Sequence, residues 1–343
     1  MEGGRGVLAK ERGVRAAENR IPGRGPGMAS IMDMRMDAEE IKKNLRQLFP
    51  VGRVLFDEPL DGYTSMGVGG RADILIFPEN AEEIRESMAY LRERKIPFLP
   101  VGNGTNLIVL DGGYRGAVIF LKGLRTLEMS DRDGGIVSLR AGAGVTLSEL
   151  VGLSLKEALT GMEFCAGIPG SVGGALRMNA GAYGREIKDV LTAITLVTGE
   201  GTIVERGREK LLFAYRSLDL PEGSIITGAS FLLKKGEKAA VEEQVAGILQ
   251  VRREKHPLEY RNAGSIFKNP AGVPAGKIID ELGLKGARIG DAQISEKHAN
   301  FIVNRGQAKA GDIVALIEMV KKKAREEKGI DLEPEVRIIG TAE

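Results

Sequence analysis

Residues 161–184 read GMEFCAGIPGSVGGALRMNAGAYG. Gly161, Gly167, Gly170, Gly173, Gly174, Gly181 and Gly184 are interleaved with Phe164, Ile168, Val172, Leu176, Met178 and Tyr183. Such a density of glycine costs backbone entropy, so it marks turns with positive φ or close approach of main-chain amides to a ligand. Ser171, Asn179 and Tyr183 add hydrogen-bonding side chains, and Glu163 is the one carboxylate of the stretch. Free N–H groups with little negative charge suit an anion such as a pyrophosphate. The other reading of the same composition is a set of sharp turns at a sheet corner.

Outward from this stretch, residues 106–236 alternate short β-type runs with glycine turns: LIVLDGGYRGAVIFL, GGIVSLRAGAGV, AITLVTGEGTIVE and GSIITGASFLLKK. One helix around LSELVGLSLKEAL interrupts them, so an α+β unit dominated by antiparallel strands is expected. Residues 37–105 read differently. DAEEIKKNLRQLF places Ile41, Leu45, Leu48 and Phe49 on one helix face. The strand ADILIF follows, and Asn80 with Glu83 resembles a capping box opening a helix with Ile84, Met88 and Leu91 on one side. The strand IPFLPVG completes a β-α-β unit, the N-terminal α/β part of the chain. Residues 237–343 carry two more amphipathic helices, one on Val241, Val245, Ile248 and Val251, the other on Ile313, Leu316, Ile317 and Val320. With Gly329 as a C-cap and LEPEVRIIG as a final strand, they make a third, α/β domain. Residues 1–36 are Gly/Arg-rich without apolar period; they read as a disordered tail rather than a basic nucleic-acid arm.

Composition sets limits on function. The 343 residues are 43% apolar and 28% charged with net charge +2, which gives no global field for nucleic acid or an anionic membrane. Cys165 is the only cysteine, so no internal disulfide forms and a cytoplasmic location is expected. With His256 and His298 as the only histidines, no metal site is expected. No apolar run approaches the ~20 residues that cross a bilayer.

The usual nucleotide labels fail. There is no G-x-x-x-x-G-K-[ST]. VGNGTNLIV offers Gly102 and Gly104 but lacks a third glycine, and strand-like sequence follows it rather than a helix. It is therefore a turn between strands, with amides and the side chains of Asn103, Thr105 and Asn106 to offer. Two such loops in adjoining domains suit a long dinucleotide at a domain seam.

In order, VGNGTNLIV, GIPGSVGGALRMNAGAYG, FAYRSL, AGSIFKNP, HANFIVN and LEPEVRIIG resemble the UDP-N-acetylenolpyruvoylglucosamine reductases over essentially residues 37–340. That resemblance implies a multidomain α+β / α/β fold: an FAD-binding module of the vanillyl-alcohol-oxidase (PCMH) type and a C-terminal α/β substrate domain. It implies FAD, NADPH as hydride source, and a small-molecule UDP-sugar substrate whose enolpyruvyl ether becomes a lactyl ether. FAD then meets Gly102, Asn103, Gly104, Thr105 and Asn106 in one loop, and Gly167, Ile168, Pro169, Gly170, Ser171, Gly173 and Gly174 in the other. Asn179, Gly181, Ala182, Tyr183 and Arg337 join them.

The chemistry needs a cation or donor at the substrate carboxylate, an acid for the carbanion and donors for the diphosphate. By the resemblance, Arg216 of AYRS stabilises the developing enolate, Ser265 of AGSIFKNP donates the proton, and Glu335, not Glu333, is the third catalytic residue. The apolar flanks of Glu335 (Pro334, Val336, Ile338) predict burial and a neutral acid. Lys268, Asn269, His298 and Asn300 are expected to reach the substrate. Taken alone, Arg216 is a surface cation, Ser265 a turn residue, His298 a structural histidine and Glu335 a solvent-facing glutamate. The interval from Arg216 to Ser265 is too short for the tyrosine loop of some members, so the chain resembles the subclass that lacks it.

Overall fold

The computed structural model describes residues 31–270 and 272–342, with side chains described from residue 38. Residues 1–30, most of the expected tail, lie outside the described residues. The first helix spans Ile31–Leu48, so it begins before Asp37, where folded sequence was expected to start. Among the described residues, those up to Leu45 and those from Arg46 on belong to separate compact units, and all that follows concerns the second.

Its first layer is a four-stranded sheet. Val54–Pro59 pairs antiparallel with Arg71–Ile76, and both Arg71–Ile76 and Phe98–Val101 run parallel to Tyr114–Phe120 between them. The helix Ala81–Glu93 is the crossover of the expected β-α-β unit and buries Ile84, Met88 and Leu91. Asn80 caps it by accepting from the Glu83 amide at 2.9 Å. The other half of the box does not form, because the Glu83 carboxylate accepts instead from the Glu79 amide and pairs with Arg53. A boundary at residue 105 cuts through this sheet, since Tyr114–Phe120 is one of its two inner strands. Parallel neighbours make that strand nearly continuously apolar, which hides it among the later runs.

The second layer is a larger antiparallel sheet built around the long strand Ile225–Lys235, flanked by Leu191–Val197 and Ile136–Gly142. The helix Leu147–Glu157 and the glycine stretch pack on it, filling a core with Leu139, Leu150, Phe164, Leu176, Ile194 and Phe231. The third region holds a small antiparallel sheet, Arg261–Asn262, Ile302–Asn304, Ala292–Ile294 and Arg288–Ile289. The helix Ala310–Lys328 covers it with Ile313, Leu316, Ile317 and Val320 buried, and stops at Gly329 with φ +65°. Both oxygens of Asp111 accept from the first amides of this helix, Ala310 at 3.0 Å and Gly311 at 2.9 Å. A carboxylate there complements the helix dipole and ties the first layer to the third.

One strand pair decides where the site lies. Leu107–Val109, leaving the VGNGTN turn, runs parallel to Arg337–Ile339 near the C-terminus. Regular strand in LEPEVRIIG is confined to those last residues. Pro334 makes only an isolated bridge to Phe267, and proline lacks the amide a ladder needs. Glu335 therefore sits on irregular chain.

Candidate active site

A cavity of about 320 Å³ brings together the loop Gly102–Asn106, the stretch Ile168–Gly174, and Arg216, Ser265, Glu335 and Arg337. Three hydrogen bonds sew its parts into one frame. The Asn106 side-chain amide donates to the Glu335 carbonyl at 3.0 Å, and the Arg337 amide donates to the Asn106 carbonyl at 3.0 Å. The Glu335 amide donates to the Ile266 carbonyl at 2.7 Å, next to Ser265. The turn that offers amides to a ligand is thus held directly against the segment that carries the carboxylate and the serine.

Arg216 comes from a short hairpin, Phe213–Ala214 paired with Ser217–Leu218. It sits in the turn at φ +56°, a conformation that costs a non-glycine residue about 1–2 kcal/mol. Such strain at a site residue is held by its surroundings. Here Nη1 of Arg216 donates to the Gly181 carbonyl at 3.2 Å, and the Asn179 side chain donates to the Ala214 carbonyl at 3.1 Å. Nε of Arg216 lies 3.1 Å from the Glu335 carboxylate without pointing its hydrogen at it, so this contact is an ion pair rather than an aligned hydrogen bond.

Burial raises the Glu335 carboxyl above the usual carboxylate range, outweighing the opposing pull of Arg216 and Lys268. The Ser265 loop is fixed from both sides. Asn300 accepts from the Phe267 amide at 2.9 Å and donates to the Phe267 carbonyl at 2.8 Å, while Lys268 N–H donates to the Glu333 carbonyl at 2.9 Å.

The cavity fits a dinucleotide with a pyrophosphate. Among the described residues nothing accepts from the amides of Asn103, Gly104, Thr105 or Asn106. The buried hydroxyls of Ser171 and Ser224 are also without partners, and buried polar groups are rarely left so. A Cβ on Gly174 would meet only Ser171 Oγ, at 3.7 Å, so this glycine leaves space in the cavity rather than room for its own chain.

Residues 72–207 match the FAD binding domain family, and residues 256–339 match the family described as UDP-N-acetylenolpyruvoylglucosamine reductase, C-terminal domain. The chain is 53% identical over 300 residues to the UDP-N-acetylenolpyruvoylglucosamine reductase of Syntrophus aciditrophicus, covering 88% of this chain and 96% of that one. It is 45% identical to the enzyme of that name from Geotalea uraniireducens over 84% of this chain and 95% of that one. The chain belongs to the UDP-N-acetylenolpyruvoylglucosamine reductase family. The crystal structure of a UDP-N-acetylenolpyruvylglucosamine reductase (MurB) from Thermus caldophilus superposes with a TM-score of 0.70 at 38% identity, covering 83% of this chain and 97% of that one.

Against this reductase frame, the residues singled out in the sequence divide into groups. Arg216, Ser265, Glu335, Arg337 and most of the two glycine loops meet at the cavity. Asn179 is fully buried and Asn300 nearly so, and each spends its side-chain amide on holding main chain. Tyr183 stands exposed at the tip of the hairpin Gly181–Ala182 and Arg185–Glu186, beyond the cavity wall. Lys268 pairs with Glu333 outside the cavity, and the Asn269 side chain accepts from the Ala275 amide at 2.9 Å, ahead of a short helix. His298 packs edge-on to His256, with Phe301 against both rings. Burial lowers the proton affinity of both histidines, that of His256 to about 4.

The sequence reading missed Arg177, Arg252, His256 and Phe301, all in the cavity wall. Arg252 had a signal: it continues the apolar stripe Val241, Val245, Ile248. Cys165 is fully buried and its thiol is pushed up to about 12, so it is no nucleophile.

Proposed function

We propose that this chain reduces UDP-N-acetylglucosamine enolpyruvate to UDP-N-acetylmuramate for peptidoglycan synthesis, with bound FAD and with NADPH as the hydride donor. One observation carries the reading: a cation, a free hydroxyl and a buried carboxyl converge at one end of an amide-lined cavity suited to a dinucleotide. When bound, reduced FAD supplies the hydride for the enolpyruvyl double bond. The amides of Asn103–Asn106 and the hydroxyl of Ser171 would hold its pyrophosphate.

Arg216 receives the substrate carboxylate, on which negative charge grows, and its fork of donors suits a planar anion. Arrival of that second anion beside Glu335 raises the Glu335 proton affinity further, so the neutral acid donates to the substrate carboxylate. Ser265, whose hydroxyl no described residue engages, delivers the proton to the carbanion, and the clamped loop from Gly264 to Lys268 keeps it in place. Lys268, Asn269 and His298 are assigned to the substrate and its diphosphate.

The test is spectroscopic. The purified protein should carry the yellow FAD absorption, lose it with NADPH under anaerobic conditions, and regain it on addition of the enolpyruvyl substrate. Bleaching that only oxygen reverses would sink the substrate assignment and leave a flavoprotein of other specificity.

A further inference from the structure

The helix Lys238–Lys255 buries Val241 and Val245 and half-buries Ile248. That stripe continues at Val251, and Arg252, four residues after Ile248, lies beside it on the same face. Arg252 borders the cavity beside His256, Ala263, Gly264 and Phe301. Its Nε is shielded from solvent and finds no hydrogen-bond partner, and among the described residues no carboxylate pairs with it. The position is built rather than accidental: a Cβ on Gly167 would stand 2.5 Å from Arg252 Cδ, so that glycine leaves room for the arginine stem. Burial lowers the proton affinity of Arg252, opposed by Tyr183 and Cys165.

A desolvated cation without a counter-charge is costly, and the cost is relieved when a ligand brings the missing negative charge. The pyrophosphate already has the amides of Asn103–Asn106. Arg252 stands instead one helical turn before His256, and the adjoining Pro257 carbonyl accepts from the Asn262 side chain at 3.3 Å, three residues before Ser265, which directs Arg252 to the end of the cavity that would serve the substrate. Two electrons and one proton delivered to the oxidised ring leave it with one net negative charge, which appears only on reduction. A guanidinium fork also matches the N–C=O edge that takes up this charge.

We propose that Arg252 is the counter-charge for the reduced flavin, and so sets the redox potential of the cofactor and its readiness to be reduced. The inference rests on the FAD reading above. His256, which caps the same helix one turn on, stays neutral at physiological pH and does not compete for the charge.

The experiment is the midpoint potential of bound FAD in wild type, Arg252→Met and Arg252→Lys, measured by dye equilibration. Loss of the charge should weaken reduction of bound FAD at least ~10-fold, a shift of about 30 mV to more negative potential for a two-electron couple. Arg252→Lys keeps the charge and should keep most of the potential; if Arg252→Met proves too unstable to load, this variant and the FAD affinity of both redox states decide. An unchanged potential in Arg252→Met, or equal weakening of oxidised and reduced FAD binding, overturns the inference and makes Arg252 a phosphate anchor or a packing residue. Wild-type protein that holds no FAD at all would overturn the flavoprotein reading itself, and this inference with it.

Discussion

Two carboxylates two residues apart in LEPEV face opposite environments. Glu333 pairs with Lys268 at the surface, with side-chain exposures of 70% and 26%. Glu335 pairs with Arg216 inside the cavity, with exposures of 15% and 22%. Both are ion pairs between loop residues, and in the inner one burial raises the proton affinity of the carboxyl. An exposed pair gains little, about 0–1 kcal/mol, because water already solvates both partners. The inner pair holds its charges where water is scarce, so small chemical changes there act on the reaction.

The largest expected effect separates these two carboxylates. Glu335→Ala should slow reoxidation of reduced FAD by the substrate on the order of 10²–10³-fold, the usual loss when a donor aimed at developing charge is removed. Glu333→Ala should change it less than ~3-fold. Glu335→Gln, which keeps an N–H donor, should fall between the two. Rapid mixing of each reduced variant with substrate reads this out, and a crippled Glu333→Ala beside a normal Glu335→Ala would reverse the assignment.

Ser265→Ala comes next. Reduction of FAD by NADPH needs no proton from Ser265 and should persist, while reoxidation by substrate should slow by ~10²-fold. Equal slowing of both half-reactions would mean that the loop clamped by Asn300 had moved.

A third contrast sits in neighbouring glycines. A Cβ on Gly173 would stand 2.9 Å from Ala143 Cβ, whereas one on Gly174 meets only Ser171 Oγ at 3.7 Å. Gly174→Val should therefore fold and lose at least ~10-fold in FAD affinity, while Gly173→Val should lose stability first, because overpacking typically costs about 1–3 kcal/mol. Flavin titration and thermal melts of both variants separate a ligand-facing glycine from a chain-facing one.

Much of this was legible in the sequence because it rests on local rules. The helix stripes Ile84, Met88, Leu91 and Ile313, Leu316, Ile317, Val320 are buried as their period requires. The turn around Gly102–Asn106 joins two strands. What escaped depends on distant partners. Tyr114–Phe120 joins the first sheet only through parallel pairing with strands 19 to 43 residues earlier, not with the strands that follow it. Arg252 looked like one of several cations in VRREK; its place four residues after Ile248 was the one local sign that separates it from Arg253, which is exposed. Asn179 and Asn300 carry site-like side chains, but the side-chain N–H of Asn179 and both polar atoms of Asn300 go to the main chain that positions Arg216 and Ser265.

The smallest effect, and the subtlest test of the inner and outer pairs, is on stability. The Glu335 carboxyl has its proton affinity raised in the folded state. A raised acid binds its proton more tightly when folded, so its favourable contribution is complete below the unfolded value near 4.5. That contribution is lost as pH rises through the raised folded value. Glu335→Gln does not titrate. Wild type should therefore lose stability relative to Glu335→Gln as pH rises from about 4.5 toward 8, with the variant relatively best at the alkaline end. The functional carboxyl would then be kept at a cost to stability, as active sites often are. At pH 8, Glu333→Gln should differ from wild type by no more than about 0.5 kcal/mol, since its pair is exposed. Urea titrations of the three proteins across this range decide the matter. A Glu335→Gln curve that falls away from wild type with rising pH would mean that Arg216 stabilises ionised Glu335 by more than burial penalises it, and Glu335 would then work as an anion that orients Arg216 rather than as a donor.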